Sequence, residues 1–401
     1  MNRLFLFLLL FLPNIIFADA TLYSLINERL SHMKQVAANK WISKQPIAAA
    51  KREKTVLDNA VKDGLKYGIT KESSRLFFRT QMEAAKNIQR CWFNRWETTD
   101  KPENPKNVLT KTRQTLTGIG SQITKRLAKD LKDKDLYDSY FSEKRSIECF
   151  TANEANNIYK ALNNITFYPD RYTQVLSSKK VRIGTTGDYA PFSYSEDNVS
   201  FTGIDIDLAE NLAKSLGVEA VFIKTSWPTL MDDLYDGSFD IGMSGISIIP
   251  SRTYFADFSM PYHVGGKSPM TLCSRVSEFN SLKKIDRPGV RAIVNPGGTN
   301  ERFLDKKMQY LTKVLYADNR RIFEEIIERK ADLMITDKVE VDVQSKLHPE
   351  LCGSMPDMTL TYQEKGYMIP KDPRLKLAVN QWLKKIKSKN LLEKTFELHL
   401  N

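Results

Sequence analysis

The pattern of apolar residues changes near residue 178, and this change constrains the fold more than any other feature of the chain. Before about residue 165, apolar side chains recur at helical spacing, and neither strand-like alternation nor glycine-rich turn chemistry intervenes. After residue 178, short apolar segments alternate with loops and helical stretches, a pattern typical of parallel sheets. We therefore predict an all-α helical domain over 21–165, a linker over 166–178 and an α/β domain over 179–401.

Charge divides the 401 residues at the same place. The net charge is +12, but residues 21–178 hold 28 Lys and Arg against 17 Asp and Glu, whereas residues 179–401 hold 31 against 30. A composition with 41% hydrophobic and 27% charged residues excludes a wholly disordered chain. The basic half favours an anionic partner, which by charge alone includes nucleic acid, a membrane surface or a small anionic substrate.

The first twenty residues have the pattern of an export signal. Arg3 precedes the apolar run Leu4–Leu12, which is followed by Pro13 and the small-residue triplet Ala18-Asp19-Ala20. This run is shorter than the roughly 20 residues that span a bilayer. We expect residues 1–20 to be a cleaved signal peptide, the mature chain to be periplasmic or secreted, and no membrane association after cleavage.

Export makes disulfides the expected state of the four cysteines, because disulfides persist in oxidising compartments. Each half contains two of them: Cys91 and Cys149, then Cys273 and Cys352. One bridge in each half is the simplest pairing, although three pairings are open from sequence alone. No Cys/His spacing suits a zinc site, and the chain has only four histidines. We therefore expect no metal.

The helical half carries polar residues on its apolar stripes. The first stripe follows spacings of 4, 3, 4, 3 and 4, and includes Leu22, Ile26, Arg29, Met33, Val36 and Lys40. Another stripe consists of Phe78, Met82, Ala85, Gln89, Trp92 and Trp96. Inward cations are costly when unpaired, and these stripes offer too few acids to neutralise them. The pattern therefore predicts a small polyanionic ligand in the helical core rather than a nucleic-acid surface.

These residues resemble the secreted, gamma-class chorismate mutases over roughly residues 21–160. The shared pattern is an arginine, a lysine eleven residues later, an Arg-Glu pair after a proline, and a glutamine on the next helix. Here these positions are Arg29, Lys40, Arg52, Glu53 and Gln89. The resemblance implies that Arg29 and Arg52 hold the carboxylates of chorismate. It also implies that Lys40 and Gln89 donate to the ether oxygen, and that Glu53 binds the ring hydroxyl.

The same resemblance implies a further cation on the following helix, which we assign to Arg126. The register is open there, because Arg113, Gln122 or Lys125 could take its place. A Claisen rearrangement needs no nucleophile and no proton shuttle. The resemblance therefore implies no cofactor.

The second half has the pattern of a two-lobed α/β domain. A second strand–loop–helix set begins near residue 272 and separates the first set from the C-terminal helices. We predict a first lobe of about 179–270 and 366–401 and a second lobe of about 271–365. The two chain crossings are expected near Ser268–Cys273 and Thr361–Pro370.

This half resembles the periplasmic polar-amino-acid-binding proteins over its full length. The markers are Thr185–Phe192, which contains Thr186 and Tyr189, then Gly203–Leu208, then Ser247 with Arg252 five residues on, and finally Thr299 and Asp337. The resemblance implies that Arg252 binds a carboxylate, helped by Ser247 and by amides near Thr299. Asp337 would hold an ammonium group, and Tyr189 would pack on the ligand side chain.

The closer resemblance is to the cyclohexadienyl dehydratases, which are enzymes on this scaffold. It rests on four segments: Thr225–Met231, which includes Trp227, Met243–Ser247, Thr271–Ser274, and Asn295–Glu301. The resemblance implies that prephenate or arogenate loses its ring hydroxyl and carbon dioxide together, without a cofactor. We expect Glu301 to be the general acid and Arg252 to bind the carboxylate of the substrate side chain.

The two resemblances together predict a bifunctional exported enzyme acting on chorismate, prephenate and arogenate. The main alternative is a non-catalytic amino-acid-binding receptor with an accessory helical domain, which would turn over no substrate and gives Glu301 no role. A nucleic-acid-binding module would instead place its cations on an outer face. The sequence is compatible with a homo-oligomer, and it leaves the preference between prephenate and arogenate open.

Overall fold

The computed structural model describes residues 21–98, 101–102, 108–132 and 147–400. The chain forms two compact units. The first comprises the described parts of Met1–Gly64 and Glu72–Ile165, and the second comprises Leu65–Lys71 and the described part of Thr166–Asn401. The predicted signal peptide, 1–20, lies outside the described residues. Within those residues, no helix is both long and apolar enough to span a membrane.

The described part of the first unit is helical. Its helices are α1 (Leu22–Ser31), α2 (Met33–Ile42), α3 (Ala50–Lys66), α4 (Lys71–Thr98), α5 (Leu109–Lys132) and α6 (Ala152–Asn163). Helix α1 begins where the Thr21 side chain accepts the backbone N–H of Ser24 at 3.1 Å. Helix α6 begins with a capping box between Thr151 and Glu154.

The first apolar stripe is interrupted, but its face is preserved. His32 ends α1 and precedes α2, so the stripe lies on two consecutive helices instead of one. Both of its cations face inward, because Arg29 is 9% exposed and Lys40 is 7% exposed. The structure therefore confirms that charged side chains lie on the buried face of the stripe.

The segment predicted to be a linker is largely helical. Residues Arg171–Ser178 form α7, whose N-terminus is capped by Asp170 through the N–H of Thr173. Val175 is fully buried in the core of the second unit. The prediction of a linker over 166–178 was therefore wrong for residues 171–178. One buried apolar residue and one N-cap suffice to stabilise a short helix that packs on a sheet.

The second unit continues as alternating strands and helices. Its first part consists of β1 (Lys180–Thr185), β2 (Asp188–Tyr189), β3 (Ser193–Tyr194), α8 (Ile204–Leu216), β4 (Glu219–Lys224), α9 (Leu230–Tyr235), β5 (Ile241–Gly242), α10 (Pro250–Thr253), β6 (Asp257–Phe258) and β7 (His263–Gly265). Its second part consists of β8 (Lys267–Leu272), a 3₁₀ turn (Cys273–Glu278), α11 (Leu282–Ile285), β9 (Arg291–Val294), α12 (Thr299–Lys307), β10 (Thr312–Leu315), α13 (Ile322–Ile327), β11 (Leu333–Asp337), α14 (Lys338–Leu347) and β12 (Leu351–Gly353). The chain ends with β13 (Gln363–Lys365), β14 (Met368–Ile369), α15 (Pro373–Ser388) and α16 (Leu391–Leu400).

Two five-stranded sheets define two lobes in this unit. The first sheet has the strand order β4-β1-β5-β14-β6, and the second has the order β10-β9-β11-β8-β12. In each sheet the first three strands of this order pair in parallel, and the last two strands are joined by antiparallel pairings. The carboxyl ends of the parallel strands of both lobes face one cleft, which is where ligands bind in such folds.

Two short strands carry the chain between the lobes. Strands β7 and β13 pair antiparallel, with Gly265 opposite Gln363. Strand β8 lies wholly within the second sheet and is buried along its length. The first crossing therefore lies at His263–Gly265, earlier than the predicted Ser268–Cys273, and the first lobe ends before residue 270. The reason is that Lys267–Leu272 pairs with β11 as a core strand.

Each unit contains one disulfide. Cys91 bonds to Cys149 with a sulfur–sulfur distance of 2.03 Å, and Cys273 bonds to Cys352 at 1.99 Å. Of the three pairings that the sequence left open, the structure has the one with a bridge in each half. The bridges close segments with sequence separations of 58 and 79 residues. Closing a loop of this length lowers the conformational entropy of the unfolded chain. Each bridge thereby raises the free energy of unfolding by about 4 kcal/mol.

We expect each disulfide to stabilise only its own unit. Replacing Cys273 and Cys352 together with serine should lower the melting temperature of one calorimetric transition by on the order of 10 °C. The matched variant with serine at Cys91 and Cys149 should lower the other transition. A single transition that shifts equally in both variants would contradict this independence.

Candidate active sites

The helices of the first unit enclose an open cavity of about 970 Å³. Its charged and amide lining comprises Arg29, Lys40, Arg52, Glu53, Asp63, Lys86, Gln89 and Arg113, with Asn59 beside them. The five cations exceed the two acids by three charges. The cavity therefore suits an anion of small size.

Arg29 is one of two buried cations of this cavity. Burial, with a smaller effect from the neighbouring Arg52, lowers its pKa to about 10. Its guanidinium lies 5.3 Å from the centre of the Phe78 ring. Among the described residues no carboxylate forms a salt bridge with it. A buried arginine without an acid is costly, and an anionic ligand would compensate for that cost.

Lys40 projects into the cavity from α2. Its Nζ donates to the carbonyl of Ile47 at 2.6 Å, in the segment between α2 and α3. Burial lowers the pKa of Lys40 to about 8, and repulsion from Arg113 adds to this effect. The ammonium group is therefore mostly protonated at neutral pH, but close to the point where it releases its proton.

Glu53 is held by groups on two helices. One carboxylate oxygen accepts the backbone N–H of Ala49 at 3.1 Å, and the other accepts from Nζ of Lys86 at 3.2 Å. These contacts lower the pKa of Glu53, the Ala49 hydrogen bond having the largest effect. Lys86 was missed by the sequence analysis. It lies three residues before Gln89 and so shares its helix face, which is the signal that could have found it.

Arg126 does not line the cavity. Its Nε pairs with Asp130 on the next turn of α5, at 2.8 Å. Arg113 lines the cavity instead. Thirteen residues separate the two arginines, which places them about 220° apart around the helix, so they cannot share a face. The assignment of the further cation to Arg126 was wrong. Gln122 and Lys125 are exposed and do not line the cavity either.

The lowered pKa of Lys40 predicts a pH dependence for chorismate turnover. Lys40 must be protonated to donate to an ether oxygen, so kcat/KM should fall above about pH 8. Lys40→Gln, which donates without titrating, should remove this limb from the pH profile. The control is Lys51→Gln on the exposed start of α3, whose profile should match the wild type. An alkaline limb that persists in Lys40→Gln would show that another group is responsible.

The second unit has a cleft of about 330 Å³ between its two lobes. It lies where strands of both lobes end, and where β8 begins. The lining comprises Tyr189, Trp227, Gly245, Ser247, Arg252, Lys267, Asn295, Gly298, Thr299, Asn300, Asn319, Thr336, Asp337, Glu340 and Lys365. The structure thus brings together Tyr189, Trp227, Ser247, Arg252, Thr299 and Asp337, which the sequence assigned to this site.

Arg252 is the cation of the first lobe. It is 3% exposed, and its Nη1 donates to the carbonyl of Ser247 at 3.0 Å. Burial, together with the nearby Arg302, lowers its pKa to about 10. The Trp227 ring lies 5.8 Å from the guanidinium, and its Nε1 donates to Asp188 at 3.1 Å. No carboxylate within the described chain forms a salt bridge with Arg252, which leaves this group for a ligand carboxylate.

Asp337 ends β11 and lies between two lysines. Its Oδ1 accepts from Nζ of Lys267, and its Oδ2 accepts from Nζ of Lys365, both at 2.7 Å. The hydroxyl of Tyr189 also donates to Oδ2. Burial alone would raise the pKa of Asp337, but the two lysines lower it well below its usual range. The carboxylate is therefore ionised at neutral pH.

Glu340 is a buried acidic residue of the cleft that the sequence analysis did not single out. It lies one turn into α14, is 2% exposed and lines the cleft. Burial raises its pKa to about 8, although the hydroxyl of Thr336 donates to it. A carboxyl group that keeps its proton at neutral pH is suited to general acid catalysis. Its position three residues after Asp337, on the same helix face, is the only signal of it in the sequence.

Two predicted residues lie outside the cleft lining. The carboxylate of Glu301 accepts the backbone N–H of Gly297 at 2.7 Å and pairs with Lys313 at 3.3 Å. Thr186 is fully buried and shares a 2.8 Å hydrogen bond with Ser244. In both cases the side chain supports a loop that borders the cleft. The predicted role of Glu301 as general acid stays a prediction.

Comparisons with known proteins follow the same division of the chain. The family of bacterial extracellular solute-binding proteins, family 3, matches residues 181–401, and the family of type II chorismate mutases matches residues 14–90. Cyclohexadienyl dehydratase of Pseudomonas aeruginosa is 47% identical over 227 residues, which are 57% of this chain and 85% of that protein. The L-cystine-binding protein of Escherichia coli is 26% identical over 213 residues, 53% of this chain and 79% of that protein.

A solved structure supports this relationship. The crystal structure of an ancestral amino-acid-binding protein, described as a precursor of cyclohexadienyl dehydratase, matches with a TM-score of 0.54 and 32% identity. The match covers 57% of this chain and 99% of that one. The chain therefore belongs, through its second unit, to the family 3 solute-binding proteins and to their cyclohexadienyl dehydratase branch, and it carries a type II chorismate mutase segment before that unit.

Proposed function

We propose that this chain is a bifunctional enzyme that converts chorismate to prephenate in its first unit and dehydrates prephenate, arogenate or both in its second. The products of the second step are phenylpyruvate and phenylalanine, respectively. The observation that carries the proposal is that the buried carboxyl group of Glu340, whose pKa burial raises, lines a solute-binding cleft together with Arg252, a buried cation without a salt bridge among the described residues.

In the first unit, Arg29, Arg52 and Arg113 provide the positive charge that two carboxylates require. Lys40 and Gln89 donate hydrogen bonds to the ether oxygen, on which negative charge develops as the C–O bond breaks. Glu53, held by Lys86, accepts from the ring hydroxyl. The enclosed shape favours the compact conformer in which the new C–C bond forms, so no group has to change its covalent state.

In the second unit, Arg252 binds the carboxylate of the substrate side chain. Glu340 donates its proton to the ring hydroxyl, which leaves as water. The ring carboxylate leaves as carbon dioxide at the same time, and the electron pair of its C–C bond completes the aromatic ring. Glu340 becomes a carboxylate and recovers a proton from solvent before the next turnover. Glu301 holds the Gly297 loop in this assignment and is not the acid.

The non-catalytic receptor gives no reason for these features. A receptor for free amino acids uses a charged carboxylate for the ammonium group, and it gives the neutral, buried carboxyl group of Glu340 no role. The combination of units favours the enzyme as well, because the product of the first reaction is the substrate of the second. The family's description as extracellular agrees with export, and we propose a periplasmic or secreted location that depends on residues 1–20.

Purified protein should convert chorismate to phenylpyruvate without an added cofactor. The activities of the two units should be separable by mutation, because Lys40→Ala removes a hydrogen-bond donor from the first site only. We expect this variant to lose chorismate turnover by at least two orders of magnitude while prephenate turnover is unchanged. Product chromatography from each substrate measures both. If the wild type leaves chorismate and prephenate unchanged, the proposed function is wrong.

Glu340→Gln and Glu301→Gln distinguish the two candidate acids. Glutamine keeps the shape but cannot donate a proton to a leaving hydroxyl, so Glu340→Gln should lower kcat for prephenate by 10²–10⁴-fold. Glu301→Gln should reduce it far less, because the amide can still accept from Gly297. Chorismate supplied to Glu340→Gln should accumulate as prephenate. A larger loss of kcat in Glu301→Gln than in Glu340→Gln would show that Glu301 is the general acid.

A further inference from the structure

Asp205 is a buried carboxylate beside the cleft of the second unit, and the proposed reaction does not use it. It is the second residue of α8, its side chain is fully buried, and it does not line the cleft. Among the described residues, no lysine or arginine forms a salt bridge with it. A buried acid without an ion partner is costly, so its hydrogen bonds have to compensate for that cost.

Three donors from three parts of the chain converge on Asp205. Its Oδ2 accepts the backbone N–H of Gly245 at 2.5 Å and the hydroxyl of Tyr262 at 2.8 Å, and its Oδ1 accepts the hydroxyl of Tyr367 at 3.3 Å. The two tyrosine rings stack with their centres 4.5 Å apart. The carboxylate thus joins the start of α8 to the loop after β5 and to the residues that precede β7 and β14.

Gly245 lies in a loop that holds two cations of the cleft. Its carbonyl accepts from Nζ of Lys365 at 2.7 Å, and two residues later the carbonyl of Ser247 accepts from Nη1 of Arg252 at 3.0 Å. Gly245 has a φ of +61°, a conformation that favours glycine, so no side chain of its own anchors the loop at this point. The hydrogen bond from its N–H to Asp205 fixes the backbone there.

We propose that Asp205 is a positioning residue of the second site, which fixes the Gly245 loop and, through it, the Arg252 guanidinium and the Lys365 ammonium group that line the cleft. The inference rests on the proposed function and assigns to that site a residue outside its lining. Asp205 acts here as a carboxylate, because hydrogen bonds to a charged acceptor are roughly twice as strong as neutral ones. A proton on Asp205 would therefore loosen the loop.

The charge of Asp205 depends on pH close to neutrality. Burial raises its pKa to about 6, although the hydrogen bonds that it accepts and the nearby ammonium group of Lys365 oppose this rise. The titratable and charged groups that face it are Tyr189, Tyr262, Lys365 and Tyr367. Asp205 is therefore ionised at pH 7 and gains a proton as the pH falls through about 6. We expect kcat/KM for prephenate to decrease in the same range.

Asp205→Asn imitates the protonated state at nearly constant size. Its amide NH₂ would face hydrogen-bond donors, so kcat/KM for prephenate at pH 7 should fall by about tenfold, and the decrease near pH 6 should disappear. Initial rates corrected for the spontaneous reaction measure both. Asp207→Asn, on the exposed side of the same helix, is the matched control and should keep the wild-type values. A folded Asp205→Asn protein with the wild-type kcat/KM would overturn the inference.

Tyr262→Phe tests the same role with Asp205 in place, and it applies even if Asp205→Asn does not fold. Removal of one donor should raise the pKa of Asp205, so the acidic limb of the kcat/KM profile should move to higher pH by about half a unit. Tyr254→Phe, at an exposed position of the same lobe, should leave the profile unchanged. An acidic limb at the wild-type pH in Tyr262→Phe would show that Asp205 does not control it.

Hydrogen–deuterium exchange of the full chain tests the anchoring of the loop without turnover. The N–H of Gly245 should exchange about tenfold faster in Asp205→Asn than in the wild type or in Asp207→Asn, because its acceptor has lost its charge. Unchanged exchange of this N–H would overturn the inference even if the protein had no dehydratase activity. A wild type that turns over neither prephenate nor arogenate would instead refute the proposed function.

Discussion

The buried ion triad of Lys267, Asp337 and Lys365 is the interaction on which the second unit's cleft depends. Asp337 ends β11, Lys267 begins β8 and Lys365 ends β13, so a single carboxylate joins the second sheet to one of the crossing strands. Tyr189 extends this contact to the first lobe. Removing the carboxylate of Asp337 would leave two buried ammonium groups without their acidic partner, which is among the most destabilising changes in a protein.

The first unit differs from the second in that the positive charge of its cavity is not balanced from within. Its cations face a cavity in which acids are too few, and the pKa of Arg29 and Lys40 is lowered because each is buried near other cations. An anionic ligand would relieve this repulsion, so ligand affinity and protein stability are coupled in the helical unit. The cleft of the second unit instead balances part of its charge internally. A chain with an overall charge of +12 thus uses excess charge at one site and a fixed pattern of charge at the other.

The sequence predicted most of the architecture because that architecture depends on local patterns. Helical spacing placed Arg29 and Lys40 on a buried face, and alternation of strands and loops after residue 178 predicted two lobes. The errors came where packing overrode a local pattern. Arg171–Ser178 was predicted to belong to a linker because its composition is polar. The segment is helical, and its Val175 is buried in the core of the second unit. The first crossing was predicted too late in the chain, because Lys267–Leu272 pairs with β11 as a strand of the second sheet.

The amino-acid sequence by itself determined the division into two units and the type of fold of each. It also determined the positions that line each site, to within one or two helical turns. Only the tertiary structure decided which of several titratable groups line each site. Arg113 lines the first cavity and Arg126 does not, because helix rotation is set by packing against neighbouring helices. Glu340 lines the cleft and Glu301 does not, and burial, which is a property of the folded surroundings, raises the pKa of the Glu340 carboxyl group. The occupancy of Asp337 by two lysines distant in sequence is likewise visible only after folding.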